Sequence, residues 1–371
     1  HYGLSAGHNR EILMAHPIPE ILEAFARGEI VIVTDDEDRE GEGDLIVAAS
    51  LCTPEKMAFI VRHTSGIVCA PVTAEDARRL RLDPMVAHND SAHATAFTVS
   101  IDYKPGMTTG ISADERTATC RALANPNAGA ADFARPGHIF PLIANDGGVL
   151  MRSGHTEAAV DLCRLSGLPP VGVISELMND DGSVMKGEQV TRFAAAHKLK
   201  HVTIADLIAY RQAREKLIER VSTFVTESPI GTLQGYAYRS PFDEIAHAAF
   251  VFNGVGDGKN VLTRLHKPNI VKDLFTGQER MRLVLNHFQR AGRGVLVYLR
   301  DGAAGVPVEP FGEQKTAEAD RNKQWREVGV GAQILRDLGV TSIRNLTSSV
   351  HDYKGLSGFG IEIVGNERLE G

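Results

Sequence analysis

Ten consecutive residues, Asp35-Asp36-Glu37-Asp38-Arg39-Glu40-Gly41-Glu42-Gly43-Asp44, hold seven carboxylates and follow directly on the apolar run 29–34 (EIVIVT). A short β-branched run of that kind reads as a buried strand, so the carboxylates have to gather at a strand end. Like charges crowded there repel unless a cation or hydrogen bonds offset them, and hard divalent cations favour oxygen ligands of this type. An EF-hand starting at Asp36 is excluded, because its twelfth position requires a bidentate Glu and holds Val47. Two readings stay open. An isolated acidic run is commonly a solvated turn. Against that, Gly41 and Gly43 let the backbone approach a ligand, and Arg39 sits among the acids.

A second segment suits an anion. Arg152-Ser153-Gly154-His155-Thr156 falls between an expected strand at 148–152 and an expected helix at 156–166 started near Ser153 or Thr156. A helix N-terminus presents unpaired N–H groups and partial positive charge, and Arg adds a planar fork matched to phosphate. The alternative is an ordinary strand–helix turn with capping hydroxyls. In a chain of net charge −7, an anionic substrate requires positive charge to be concentrated locally in this way.

Three further positions are candidates on local grounds. His138 follows Arg135-Pro136-Gly137, a tight turn that would present an imidazole suited to proton transfer near neutral pH. Glu176 ends the apolar run VGVIS (171–175), where burial can raise a carboxyl pKa. Thr108-Thr109-Gly110 offers hydroxyls in a turn. Singly, each is more often a structural residue.

At 371 residues the chain suits two domains. The first half reads as helix 18–27 closed by Gly28, strand 29–34, apolar run 45–50, helix 55–64, strand 94–101, a loop-rich stretch 102–137, strands 139–144, 148–152 and 171–175, and a helix 203–219. The second half reads as strands 221–226, 232–238 and 246–252, helix 279–290, strand 294–300, a polar loop 301–322, helix 329–338 and strands 341–346 and 360–364. Strands and helices mix without a βαβ rhythm, so both halves are expected to be α+β, with domains at 1–219 and 220–371. No long basic run favours a nucleic-acid partner, and no apolar run reaches the ~18–20 residues that span a membrane. The four cysteines form no C-x-x-C pair, and reduced thiols in a cytoplasmic protein are the expectation.

Together, DDEDRE-x-EGD, GIVC (66–69), TTGIS (108–112), RPGHIFPL (135–142), R-x-GHTEA (152–158) and ISEL (174–177) resemble 3,4-dihydroxy-2-butanone 4-phosphate synthase over roughly residues 18–215. The resemblance implies a lyase of riboflavin biosynthesis that converts D-ribulose 5-phosphate to formate and L-3,4-dihydroxy-2-butanone 4-phosphate. It also implies Mg2+ or Mn2+, a homodimer and an α+β fold. Glu40 and His155 would hold the metal. Arg39 and Asp44 would contact substrate. Thr108 and Arg152, Ser153, Gly154, His155 and Thr156 would hold the phosphate end. His138 and Glu176 match positions essential for catalysis. Glu115 departs from the family pattern, which has Asp before the Arg.

Residues ~221–371 resemble GTP cyclohydrolase II through RLHK (264–267), KDLF (272–275), GRGVLVYLR (292–300), GVGAQILRDLGV (329–340), IRNLTSS (343–349) and GLSGFGIEIV (355–364). That family holds zinc with three cysteines. This chain has no cysteine after Cys163, Asn269 stands at the first ligand position, and the family's R-Q-E-G-R-G segment has become Arg300-Asp301-Gly302-Ala303-Ala304-Gly305. The resemblance therefore implies a retained fold without zinc or cyclohydrolase chemistry. The rival readings are a bifunctional enzyme and a non-catalytic regulatory protein.

Overall fold

The computed structural model describes residues 16–35, 41–91, 95–216, 218–240, 243–268, 277–300, 329–347, 356 and 361–369. The chain divides into two compact units at Ile208/Ala209. That point lies inside helix α7 (Ile204–Arg214), ahead of the boundary expected at 219/220.

In the first unit, α1 (Ile18–Ala26) buries Ile18, Ile21, Ala24 and Phe25, one face of a 3.6-residue period. Gly28, at φ +81°, turns the chain out of it. Strands β1 (Val31–Thr34) and β2 (Gly43–Ala48) pair antiparallel, Thr34 with Gly43 and Val33 with Asp44. The acidic run is thus the connection of a β-hairpin, closed by Glu42 N–H donating to Asp35 Oδ1 at 2.9 Å. Residues 36–40 lie outside the described residues.

The remaining strands are β3 (Cys69–Val72), β4 (Ile101–Tyr103), β5 (Phe133–Ile143), β6 (Gly172–Glu176) and β7 (Lys200–Thr203). The sheet order is β4-β5-β3-β6-β2-β1-β7. All six residues of β2 are buried, so both faces of the sheet centre are covered. One face packs Ile32, Leu45, Val47 and Val173 against α2 (Pro54–His63) and α4 (Ala113–Leu123) through Met57, Ile60, Cys120 and Leu123. Side chains alternate along a strand, so Asp44 and Ile46 point to the other face, where α5 (His155–Leu165) packs on β1, β2, β3 and β6.

Several sequence expectations need correction. Of the strand expected at 94–101, residues 95–100 are not a strand, Phe97 and Thr98 making only isolated bridges, and β4 begins at Ile101. The loop-rich stretch 102–137 contains α4, whose alanines and threonines hide an amphipathic pattern, although Ser112 and Glu115 form a full capping box at its start. Residues 148–150 form a 3-10 turn. His138 lies within β5 rather than a free turn. The helix expected at 203–219 ends at Arg214, because β8 begins at Glu219. The helices Ala74–Arg79 and Glu188–His197, and strands β3 and β7, were not anticipated.

The second unit is a seven-stranded sheet of order β14-β13-β11-β12-β10-β9-β8. Its strands are β8 (Glu219–Ser228), β9 (Gly231–Ser240), β10 (Asp243–Phe252), β11 (Val261–His266), β12 (Gly294–Tyr298), β13 (Ser342–Thr347) and β14 (Glu362–Arg368). The helix Gly277–Ala291 buries Val284, Leu285 and Phe288, and a second helix covers 329–337. Buried Tyr238 donates its hydroxyl to Asp337 Oδ2 at 3.0 Å, and Arg220 Nε donates to the same oxygen at 2.9 Å. Both units are α+β. The expected loop 301–322 and the KDLF segment lie outside the described residues, and among the described residues no helix is long and apolar enough to cross a membrane.

Candidate active site

The antiparallel register of β2 and β6 sets Asp44 directly opposite Glu176. Directly opposed residues share a face of the sheet and have Cα atoms about 4.5–5.5 Å apart, so two carboxylates stand side by side. Asp44 is buried. Glu176 accepts a hydrogen bond from the Ser65 hydroxyl at 2.7 Å.

The N-terminus of α5 closes over this pair. His155, buried at the first helical position, has Nε2 3.1 Å from the Val33 carbonyl and Nδ1 3.9 Å from Asp44 Oδ1. A carbonyl oxygen only accepts, so in the neutral ring Nε2 carries the proton and Nδ1 is the basic nitrogen. That arrangement, a ring N–H donated to a backbone carbonyl, is the usual support for a metal-ligating imidazole. The N-cap of α5 is Gly154, and no side chain caps the helix, which corrects the expectation of a Ser153 or Thr156 cap. Arg152 donates from Nη1 to Glu157 Oε2 at 2.7 Å and from Nη2 to the Thr95 hydroxyl at 3.2 Å. Glu157 is buried, and Oε1 accepts Asn145 N–H at 3.0 Å. Burial pushes the Glu157 carboxyl up, and the Arg152 charge opposes the shift.

Asp44, Arg152, His155, Thr156 and Glu176 line one pocket together with Cys69. Burial pushes the Cys69 thiol far above its usual range, and the Glu176 and Asp44 charges add to the effect. The structure brings together five of the residues singled out in the sequence. Ser153 and Gly154 sit in the loop that leads into α5.

The other candidates lie elsewhere. His138 does not line this pocket; its Nδ1 is 2.7 Å from Asp102 Oδ2, and its N–H donates to Asp102 Oδ1 at 2.8 Å. The N–H and hydroxyl of Thr108 both donate to Glu115 Oε1, so a phosphate would compete with that carboxylate for both donors. Arg39 and Glu40 lie outside the described residues. Sequence reading missed Ser65, Thr95, Asp102 and Glu157. Of these, only Glu157, inside the GHTEA motif, carried a local signal.

A mixed sheet whose strand ends gather paired carboxylates, a supported imidazole and a guanidinium under a helix N-terminus defines an α+β enzyme built for a small anionic substrate. The profile of 3,4-dihydroxy-2-butanone 4-phosphate synthase matches residues 19–210, and that of GTP cyclohydrolase II matches 219–368. The probable bifunctional riboflavin biosynthesis protein RIBA 1 of Oryza sativa subsp. japonica is 46% identical over 95% of this chain and 69% of its own length. The monofunctional riboflavin biosynthesis protein RIBA 2 of Arabidopsis thaliana is 44% identical over 95% of this chain and 76% of its own. The crystal structure of RibBX from A. baumannii, a two-domain 3,4-dihydroxy-2-butanone 4-phosphate synthase, superposes with TM-score 0.77 at 35% identity, covering 94% of this chain and 99% of that one. A 3,4-dihydroxy-2-butanone 4-phosphate synthase crystallised with two magnesium ions superposes with TM-score 0.53 at 48% identity, covering 54% and 98%. The chain belongs to the 3,4-dihydroxy-2-butanone 4-phosphate synthase family and carries a GTP cyclohydrolase II family domain behind it. It is an enzyme of riboflavin biosynthesis with that synthase activity.

Proposed function

We propose that the chain converts D-ribulose 5-phosphate to L-3,4-dihydroxy-2-butanone 4-phosphate and formate as its single reaction, using residues 1–219, while residues 220–371 form a partner domain without cyclohydrolase chemistry. The observation that carries the first part is the pairing of Asp44 and Glu176 beneath the uncapped end of α5. The N–H groups at the start of α5, with Ser153, Gly154 and Thr156 and the guanidinium of Arg152, bind the phosphate. That grip orients the sugar, so its carbon chain lies along the two carboxylates. Enolisation of a ketose requires a base near the carbon acid, and among the described residues Asp44 and Glu176 are carboxylates that line the pocket. Ser65 holds one oxygen of Glu176, which aims the other. His138 supplies a second proton-transfer group, Arg39 a further substrate contact, and Thr108 a hydroxyl at the phosphate end. The chain works as a homodimer in the cytoplasm, without nucleic-acid or membrane partners.

Glu40 and His155 would hold a divalent cation, Mg2+ or Mn2+, and the donor set fits: Nδ1 of His155 is the basic nitrogen and faces Asp44. A bound magnesium polarises a carbonyl and stabilises the developing enolate. The zinc of the cyclohydrolase family does not fit. All four cysteines are buried in the first unit, and the sequence from 164 onward has no thiol to stand for the three cysteines that hold zinc in that family.

Formate release measured with D-ribulose 5-phosphate and magnesium, and GTP consumption measured with zinc, test both halves of the reading. Formate from the sugar phosphate and no turnover of GTP is the expected pair. GTP turnover would overturn the single-reaction reading, and silence with both substrates would favour a non-catalytic role. His155→Ala and Glu40→Ala are expected to abolish metal-dependent turnover with the fold intact.

A further inference from the structure

Building on the reading of His138 as a catalytic group, we propose that Asp102 is its positioning residue, fixing both the ring and the main chain so that Nε2 is the nitrogen that exchanges protons. The geometry is specific. Between the pairs Ile101–Ile139 and Asp102–Ala134 the β4/β5 register slips, which takes Arg135-Pro136-Gly137-His138 out of the ladder. The Asp102 side chain replaces the lost ladder bonds at His138, with Oδ1 accepting the main-chain N–H at 2.8 Å and Oδ2 lying 2.7 Å from Nδ1. An ionised carboxylate only accepts, so Nδ1 carries a proton and Nε2 is left with the free lone pair in the neutral ring. The Asp102 side chain is 5% exposed and that of His138 41% exposed, so the orienting group is sealed while the ring remains reachable.

The chain packs closely around Asp102. A Cβ on Gly137 would fall 2.0 Å from the Ile101 carbonyl carbon, and one on Gly110 would fall 2.1 Å from Asp102 Oδ2. Both glycines therefore let the chain close directly over the carboxylate. Arg116, buried on α4, lies within the field of Asp102 and donates from Nη1 to the Gly66 carbonyl at 3.1 Å. Gly66 follows Ser65, which holds Glu176.

The test uses the full chain with magnesium and D-ribulose 5-phosphate. His138→Asn comes first: turnover within about tenfold of wild type would remove the catalytic reading of His138 itself. With His138→Asn inactive, Asp102→Asn is expected to lower kcat by about a hundredfold or more while KM changes less than about threefold. The Asp102→Asn, His138→Asn double variant is expected to be no slower than His138→Asn alone, because the two residues act as a unit. An Asp102→Asn enzyme with wild-type kcat beside an inactive His138→Asn would overturn the positioning role. Nitrogen-15 NMR of the wild-type protein, with the His138 ring assigned by its loss in His138→Asn, reads the tautomer even where Asp102→Asn does not fold. A protonated Nδ1 with a bare Nε2 is expected, and the opposite tautomer would overturn the proposal.

Discussion

Arg152 Nη1 lies 2.7 Å from Glu157 Oε2, and the carboxylate that holds it is 1% exposed. Helix α5 therefore carries, within its first turn, the counter-charge that holds the arginine just before it. Removing one partner of a buried pair leaves the other uncompensated, at about 3–5 kcal/mol when both are sealed. The Arg152 side chain is 19% exposed and keeps some water. Glu157→Ala is therefore expected to cost about 2–3 kcal/mol. Urea unfolding of the two proteins measures it, and a loss under about 0.5 kcal/mol would show that the pair is only a surface contact.

Gly154→Ala tests the same geometry from the other side. A Cβ at Gly154 would lie 2.3 Å from Arg152 Nη1 and 2.9 Å from Glu157 Oε2. The backbone there is extended, at φ −107°, so alanine adds no backbone strain. The guanidinium has to move, and the phosphate grip moves with it. KM for D-ribulose 5-phosphate is expected to rise about tenfold, and thermal stability is expected to fall because the Arg152–Glu157 pair is disturbed as well. A KM equal to wild type would separate Arg152 from substrate binding.

The sign of the Glu115 effect follows from its partners. Hydrogen bonds from the Thr108 N–H and hydroxyl, with help from Gly110 and Ser112, hold its carboxyl down to about 2 from 4.5. A carboxyl depressed in the folded state adds stability that is full above its unfolded pKa and fades as pH falls towards the folded value. Wild type is expected to outlast Glu115→Gln in urea at about pH 6, with the gap narrowing below about pH 4.5 and closing only as pH falls through about 2. A gap that stays constant between those pH values would mean the charge plays no part in the cap.

How far the sequence went is clearest at α5. The motif around Arg152 and His155 was legible as a candidate anion site because a turn into a helix N-terminus is a local feature, although the strand expected before it is a 3-10 turn. The pairing of Asp44 with Glu176 joins positions far apart in sequence, and only the β2/β6 register sets them opposite. Each residue was legible as a candidate, but their adjacency was not. Asp102 was invisible for a stronger reason. It lies in an ordinary-looking three-residue strand and acquires its role only where the β4/β5 ladder slips. Helix α4 escaped because Thr117 and Thr119 are buried beside Cys120, so polar letters occupy the inward face and erase the periodicity that marks a helix.

The four thiols give a final prediction. Burial pushes Cys52 up to about 11 and Cys163 up to about 12, and pushes the Cys69 and Cys120 thiols far up as well. The thiolate is the nucleophile, and its fraction falls tenfold for each pH unit below the pKa. Cys69 lines the pocket, but the nearby Glu176 and Asp44 charges add to burial in disfavouring its thiolate. These surroundings disfavour a nucleophilic role for this cysteine near neutral pH. The folded protein is expected to react negligibly with a thiol-specific disulfide reagent at about pH 8 and to release four equivalents once unfolded. One equivalent released from the folded enzyme, blocked by D-ribulose 5-phosphate, would instead identify Cys69 as an activated thiol.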